Sequence, residues 1–119
     1  MPDDAKIIVV SGIQGAGKST TGPLLAARFE KSAFIDADDV ASMIVSGQAW
    51  ATETGGPGDA FAPETQRQLR LRLHNSCLLA RSYRDAGFTT VVADIILSDR
   101  WDHLREDLRG VAFHLVVLA

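Results

Sequence analysis

The sequence has one cysteine, no excess of positive charge, no long apolar run and no internal repeat. Each shortage removes a class of protein. A lone Cys77 allows no intrachain disulfide and fits a reducing compartment. Lys and Arg number 12 against 15 Asp and Glu, a formal net charge of −3. General nucleic-acid binders are normally basic, so no nucleic-acid partner is expected. No apolar run approaches the roughly 18–20 residues that span a bilayer, so no membrane partner is expected either. The start, Met1-Pro2-Asp3-Asp4, is acidic and lacks the basic opening of a signal peptide, which points to the cytoplasm. What is present, 119 residues with 46% hydrophobic and 23% charged, suits one small globular domain.

Hydrophobic patterning gives the order β-α-β-α-α-β-α-β. Lys6–Val10 (KIIVV) reads as a buried strand, and Lys18–Phe29 as a helix in which Pro23 is tolerated near the first turn. Ala33–Ile35 is a second strand. Asp38 or Asp39 is expected to cap a helix through Val45. The stretch Gly47–Gly58, with Thr54-Gly55-Gly56-Pro57-Gly58, reads as a loop that closes over a ligand or merely links elements. The longest helix runs from Pro63 to about Ala86, stopped by Gly87, with Leu69, Leu73, Ser76, Cys77, Ala80 and Tyr83 on one stripe. Phe88–Leu97 is a third strand. Ser98 or Asp99 starts a helix ending near Leu108 and Gly110, and Val111–Ala119 is a fourth strand. Buried strands alternating with helices imply a parallel sheet covered on both faces, with ligands at the carboxyl ends of the strands.

Two groups of residues fall at such ends. Gly12-Ile13-Gln14-Gly15-Ala16-Gly17-Lys18-Ser19 matches G-x-x-x-x-G-K-[ST], between a strand and a helix. Glycines let the backbone approach an anion closely, and the loop amides and helix start then hold its phosphates. Lys18 places a charge near the β- and γ-phosphates, and the Ser19 hydroxyl is placed to ligate Mg²⁺. The cofactor-binding set is therefore Gly12, Gln14, Gly15, Ala16, Gly17, Lys18, Ser19 and Thr20. The second group is acidic. Asp94, after Val91-Val92-Ala93, resembles a Walker-B acid that reaches the metal through water. Asp36, Asp38 and Asp39 exceed what helix capping requires. If the chain stays extended there, Asp36 and Asp38 point the same way, one for the metal and one to accept a proton from a hydroxyl.

The remaining candidates are weaker. Arg67, Arg70, His74, Arg81 and Arg84 recur at helical spacing, most simply as a solvated face pairing with Glu64 and Asp85. Arg100 follows the third strand, where substrate should lie. Trp50 and Trp101 flank the expected cleft, with packing as their default role. His103 and His114 lack ligand spacing, and Cys77 sits in the apolar stripe.

The segments GIQGAGKST at 12–20, FIDADDV at 34–40 and VVADI at 91–95 resemble those of the P-loop small-molecule and nucleoside-monophosphate kinase group. The layout is most similar to chloramphenicol phosphotransferase-like, gluconate kinase-like and shikimate kinase-like proteins. The resemblance implies a P-loop NTPase fold, a three-layer α/β/α domain with a parallel sheet over residues 1–119. It implies Mg²⁺ and ATP as cofactors, and transfer of the γ-phosphoryl group to a hydroxyl of a small molecule. Asp38 then matches the acid near the acceptor hydroxyl, Asp36 the acid near the metal, and residues 40–73 the acceptor-binding segment. Lys18, Asp38 and Arg100 form the expected catalytic set, and Ser19, Asp36 and Asp94 the metal set.

The sequence departs from that group at its end. The group continues beyond the fourth strand into an arginine-bearing lid, a helix and a fifth strand, so a C-terminally incomplete domain is expected. An incomplete sheet edge would favour self-association. A nucleoside-monophosphate kinase and a non-catalytic nucleotide-binding module are the alternatives. The first needs arginines rather than an aspartate base; for a GTPase switch, no N-K-x-D motif occurs.

Overall fold

A computed structural model describes residues 4–12, 15–49, 62–96 and 99–118. Four strands form one sheet: β1 (Ile7–Ser11), β2 (Ser32–Asp36), β3 (Thr89–Asp94) and β4 (Phe113–Val117). Their spatial order is β2-β3-β1-β4, and every pairing is parallel. The central register sets Ile8 between Val91 and His114. The helices are α1 (Lys18–Ala26), α2 (Ala37–Ala41), α3 (Pro63–Asp85) and α4 (Arg100–Asp107). Element order and fold class are those the patterning predicts.

Alternation along β1 builds the layers. Ile7 and Val9 point to one face, where Val40 of α2, Leu73, Cys77 and Ala80 of α3, and Leu104 of α4 complete the larger core. Ile8 and Val10 point to the other, against Ala26 and Leu25 of α1. Both faces of β1 and β3 are buried, which is why their sequences are continuously apolar rather than alternating. The edge strand β4 leaves Leu115 and Val117 exposed.

Several local expectations change. Helix α1 ends at Ala26, not Phe29, and Pro23 is its sixth residue rather than part of its first turn. It therefore lacks the amide that would bond the Ser19 carbonyl, and the helix stays short. Neighbouring Gly22 is a close-packing residue, because a Cβ there would lie 2.2 Å from the Phe34 ring. Helix α2 is capped by Asp36, whose carboxylate accepts from the Asp38 amide at 2.9 Å, so neither Asp38 nor Asp39 is the cap. It ends at Ala41, short of Val45. Tyr83 leaves the buried stripe of α3 and stacks edge-on with Phe88 at the surface. Strand β3 stops at Asp94. Asp99 precedes α4 without a side-chain cap, and Ser98 lies outside the described residues.

Candidate functional site

The carboxyl ends of β2 and β3 and the start of α1 open on one cleft of about 940 Å³. Gly15, Gly17, Lys18, Ser19 and Thr20 form one wall, Asp36 and Asp38 a second, and Asp94 and Arg100 the floor. These belong to segments far apart in sequence, joined only because parallel strands end on the same side.

The loop carries its own strain pattern. Gly17 has φ +96° and caps α1, and Gly15 has φ +88°. Side chains rarely tolerate such angles, so glycine is needed at both turns. The Thr20 and Thr21 amides bond back to the Gly17 carbonyl at 3.2 and 2.8 Å, closing the first turn. The Lys18 ammonium donates to the Gly12 carbonyl at 2.5 Å, across the base of the loop. Gly12 is buried below the cleft, where a Cβ would meet Ala16 and Leu118 within 3.1–3.3 Å. Gly12 and Ala16 are not among the residues that line the cleft. Gln14 lies outside the described residues.

The acidic side differs from the sequence expectation in how it is arranged. Asp36 is extended, at φ −92° and ψ 120°, but Asp38 already lies in the first turn of α2. The two share the cleft through a strand-to-helix corner, not through the two-residue period of an extended chain. The Asp38 side chain is 80% exposed.

Arg72 organises the floor, although no motif in the sequence marks it. It is 8% exposed, in the middle of α3, and its guanidinium lies 2.7 Å from Asp94 Oδ1 and 3.6 Å from Asp38 Oδ1. The same Asp94 oxygen accepts the Ile95 amide at 2.7 Å. Asp94 Oδ2 is buried with no hydrogen-bond partner among the described residues. Burial holds the Asp94 carboxyl above its ordinary range, opposed by Arg72, the Ile95 amide and Arg100. Arg100 donates to the Ile95 carbonyl at 2.9 Å. Burial pulls its guanidinium below its usual value; Asp94 opposes that pull and Arg72 adds to it. A signal for Arg72 exists in the sequence: it falls between Leu69 and Ser76 on the buried stripe of α3, and an arginine in an apolar stripe demands a carboxylate.

The basic face of α3 has another purpose. Arg70 grips Asp107 of α4 through two bonds at 2.6 and 3.0 Å, and His74 adds a third contact at 3.0 Å. Arg81 bonds the Arg109 carbonyl. Only Arg67 and Arg84 make the expected local pairs, with Glu64 and Asp85. Arg70, His74 and Arg81 thus fasten two helices together rather than forming a solvated face. Trp101 packs on the larger core. Trp50 and residues 54–58 lie outside the described residues.

No family model and no curated protein matches this sequence. Solved structures do. A sugar kinase from Janibacter sp. HTCC2649 superposes with TM-score 0.66 at 22% identity, over 97% of this chain and 60% of its own. The APS kinase CysC of Mycobacterium tuberculosis gives TM-score 0.66 at 21% identity, over 96% of this chain and 75% of that one. The same enzyme in complex with AMPPNP and APS gives 0.66 at 20%, over 95% and 61%. The chain shares the fold of these structures. The chain spans about 60% of the length of the sugar kinase it resembles. Among the described residues, no helix is long and apolar enough to cross a membrane, and no cluster of three or more His, Cys, Asp or Glu stands ready for a metal.

Proposed function

We propose that this chain carries the nucleotide- and acceptor-binding part of an ATP-dependent phosphotransferase acting on a hydroxyl of a small molecule. One observation carries the reading. The glycine loop with Lys18 and Ser19 opens on the same cleft as Asp36, Asp38 and Asp94. A phosphoryl donor and an acceptor bound there would meet at the ends of β2 and β3.

The roles follow from charge and reach. Loop amides and the start of α1 bind the phosphates. Lys18 offsets charge on the β- and γ-phosphates. Asp38, exposed on the cleft, accepts the proton of the acceptor hydroxyl as its oxygen bonds to the γ-phosphorus and the bond to the β–γ bridging oxygen breaks. Arg72 holds Asp94 and lies near Asp38; Arg100 sits beside Asp94. Catalysis of this kind is positioning and electrostatics rather than covalent chemistry.

The residues fit a magnesium ion. Mg²⁺ takes few protein ligands, usually one or two carboxylates plus phosphate oxygens and water. Ser19 and Asp36, both on the cleft, would supply oxygens of that kind; Asp94 lines the same cleft, with its Oδ2 buried and unpartnered among the described residues. Bound there, the ion would neutralise phosphate charge.

The test uses thermal unfolding with Mg-ATP, Mg-GTP and no nucleotide, then ATP consumption against a panel of hydroxylated acceptors. A ligand at a hundred times its Kd stabilises by about 2.7 kcal/mol. Lys18→Ala is expected to abolish the Mg-ATP shift and keep the fold. Unchanged Mg-ATP affinity in that variant, measured by calorimetry, would overturn the proposal.

A further inference from the structure

We propose that the acceptor taken by this cleft is an uncharged alcohol with an apolar face, and not a phosphorylated or carboxylated compound. The inference rests on the phosphotransferase reading and names the substrate class of the same site. The acceptor side is apolar. Val40, Met43 and Ile44 from α2 and its exit face Leu69 and Leu71 from α3. Met43 is 68% exposed and Leu71 37%, so that, side by side on one cleft, they offer apolar surface to a ligand.

The cations are elsewhere and engaged. Among the described residues, those lining the cleft are Lys18, Arg72 and Arg100. Lys18 holds the phosphate loop, Arg72 holds Asp94 beside Asp38, and Arg100 holds the Ile95 carbonyl. None of these three stands on the apolar wall, and the cations that border Leu71 on its outer side, Arg67, Arg70 and His74, are taken up by Glu64 and Asp107. The sequence explains why. Between Lys31 and Arg67 there is no lysine, arginine or histidine, while Asp36, Asp38, Asp39, Glu53, Asp59 and Glu64 all fall there. Arg67, the first cation after that gap, pairs with Glu64. The Gln68 amide, which also lines the cleft, is used internally: it accepts from the Ala49 amide and donates to the Gly47 carbonyl, both at 2.8 Å.

An anionic acceptor would therefore lose its hydration without gaining a cation, and would face Asp36 and Asp38 at close range. Carboxylate and phosphate recognition ordinarily uses a forked arginine, and the arginines beside Leu71 already hold carboxylates, Arg67 that of Glu64 and Arg70 that of Asp107. An uncharged alcohol meets neither penalty. Its apolar face covers Met43 and Leu71 while its hydroxyl turns to Asp38.

The experiment measures matched pairs by thermal shift on the full chain, with and without Mg-AMPPNP: phenyl glucoside against phenyl glucuronide, uridine against uridine monophosphate, inositol against inositol phosphate. In at least one pair the uncharged member is expected to bind at least tenfold more tightly, and phenyl glucoside more tightly than glucose. Tighter binding of the charged members, or no binding by any uncharged alcohol, overturns the inference. Leu71→Arg puts a cation on the wall and should move the preference toward the charged member by about tenfold; an unmoved preference also counts against it. Loss of the Mg-AMPPNP shift alone speaks against the phosphotransferase reading, because the charge preference is read separately from it.

Discussion

Replacing Arg72 with methionine tests the floor of the cleft most directly. Methionine keeps most of the side-chain length and removes the charge. It leaves Asp94, only 3% exposed, with the Ile95 amide as its nearest donor. Removing one partner of a buried ion pair typically costs about 3–5 kcal/mol, because the remaining charge is uncompensated. The pair with Asp38 adds little, since that carboxylate is 80% exposed and 3.6 Å away. In a domain of this size each kcal/mol moves the melting temperature by about 3–5 °C, so a fall of about 10–25 °C is expected. The loss depends on pH. The Asp94 carboxyl is already held above its ordinary range by burial, and without Arg72 it rises further. A carboxyl raised in the folded state favours folding below its unfolded value, about 3.9, and that advantage disappears as pH rises through the folded value. The deficit of Arg72→Met should therefore be largest at neutral and alkaline pH and shrink toward about pH 4. Adding Asp94→Asn to the variant removes the stranded charge and should recover at least half of the loss. Urea unfolding from pH 4 to 8 reads all three effects. A loss under about 1 kcal/mol at neutral pH, or a double variant no more stable than the single, would refute the reasoning.

Two further outcomes follow from other parts of the chain. Burial pushes the Cys77 thiol up to about 12, so it should resist alkylation at pH 8 in the folded protein and react only as the chain unfolds; rapid native-state labelling contradicts its burial. Asp107 lies at the junction of α3 and α4: burial pushes its carboxyl up, but the bonds from Arg70 and His74 outweigh this and hold it below its ordinary value. A lowered carboxyl supports folding above its unfolded value and ceases to do so as pH falls through the folded one. Asp107→Asn should thus cost about 1–3 kcal/mol at pH 7 and progressively less below about pH 4, measured by urea unfolding.

The sequence itself determined the order of elements and the phosphate loop. Continuous β-branched runs such as Ile7–Val10 and Val91–Val92 permit only strands buried on both faces, and strands of that kind between helices are parallel. Gly12 to Ser19 are local in sequence, and so is the strand-loop-helix turn they form. The cleft floor was decided only by tertiary structure. Arg72 and Asp94 are 22 positions apart, and Arg70 and Asp107 are 37 apart. Helical spacing alone placed Arg70, His74 and Arg81 on one face, but not opposite Asp107. Ion pairs join side chains from different elements, and which cation meets which carboxylate depends on how α3 lies across the sheet. The residue spacing within a single element carries no trace of that angle, so Arg72 became visible as the partner of Asp94 only once α3 had been docked on β3.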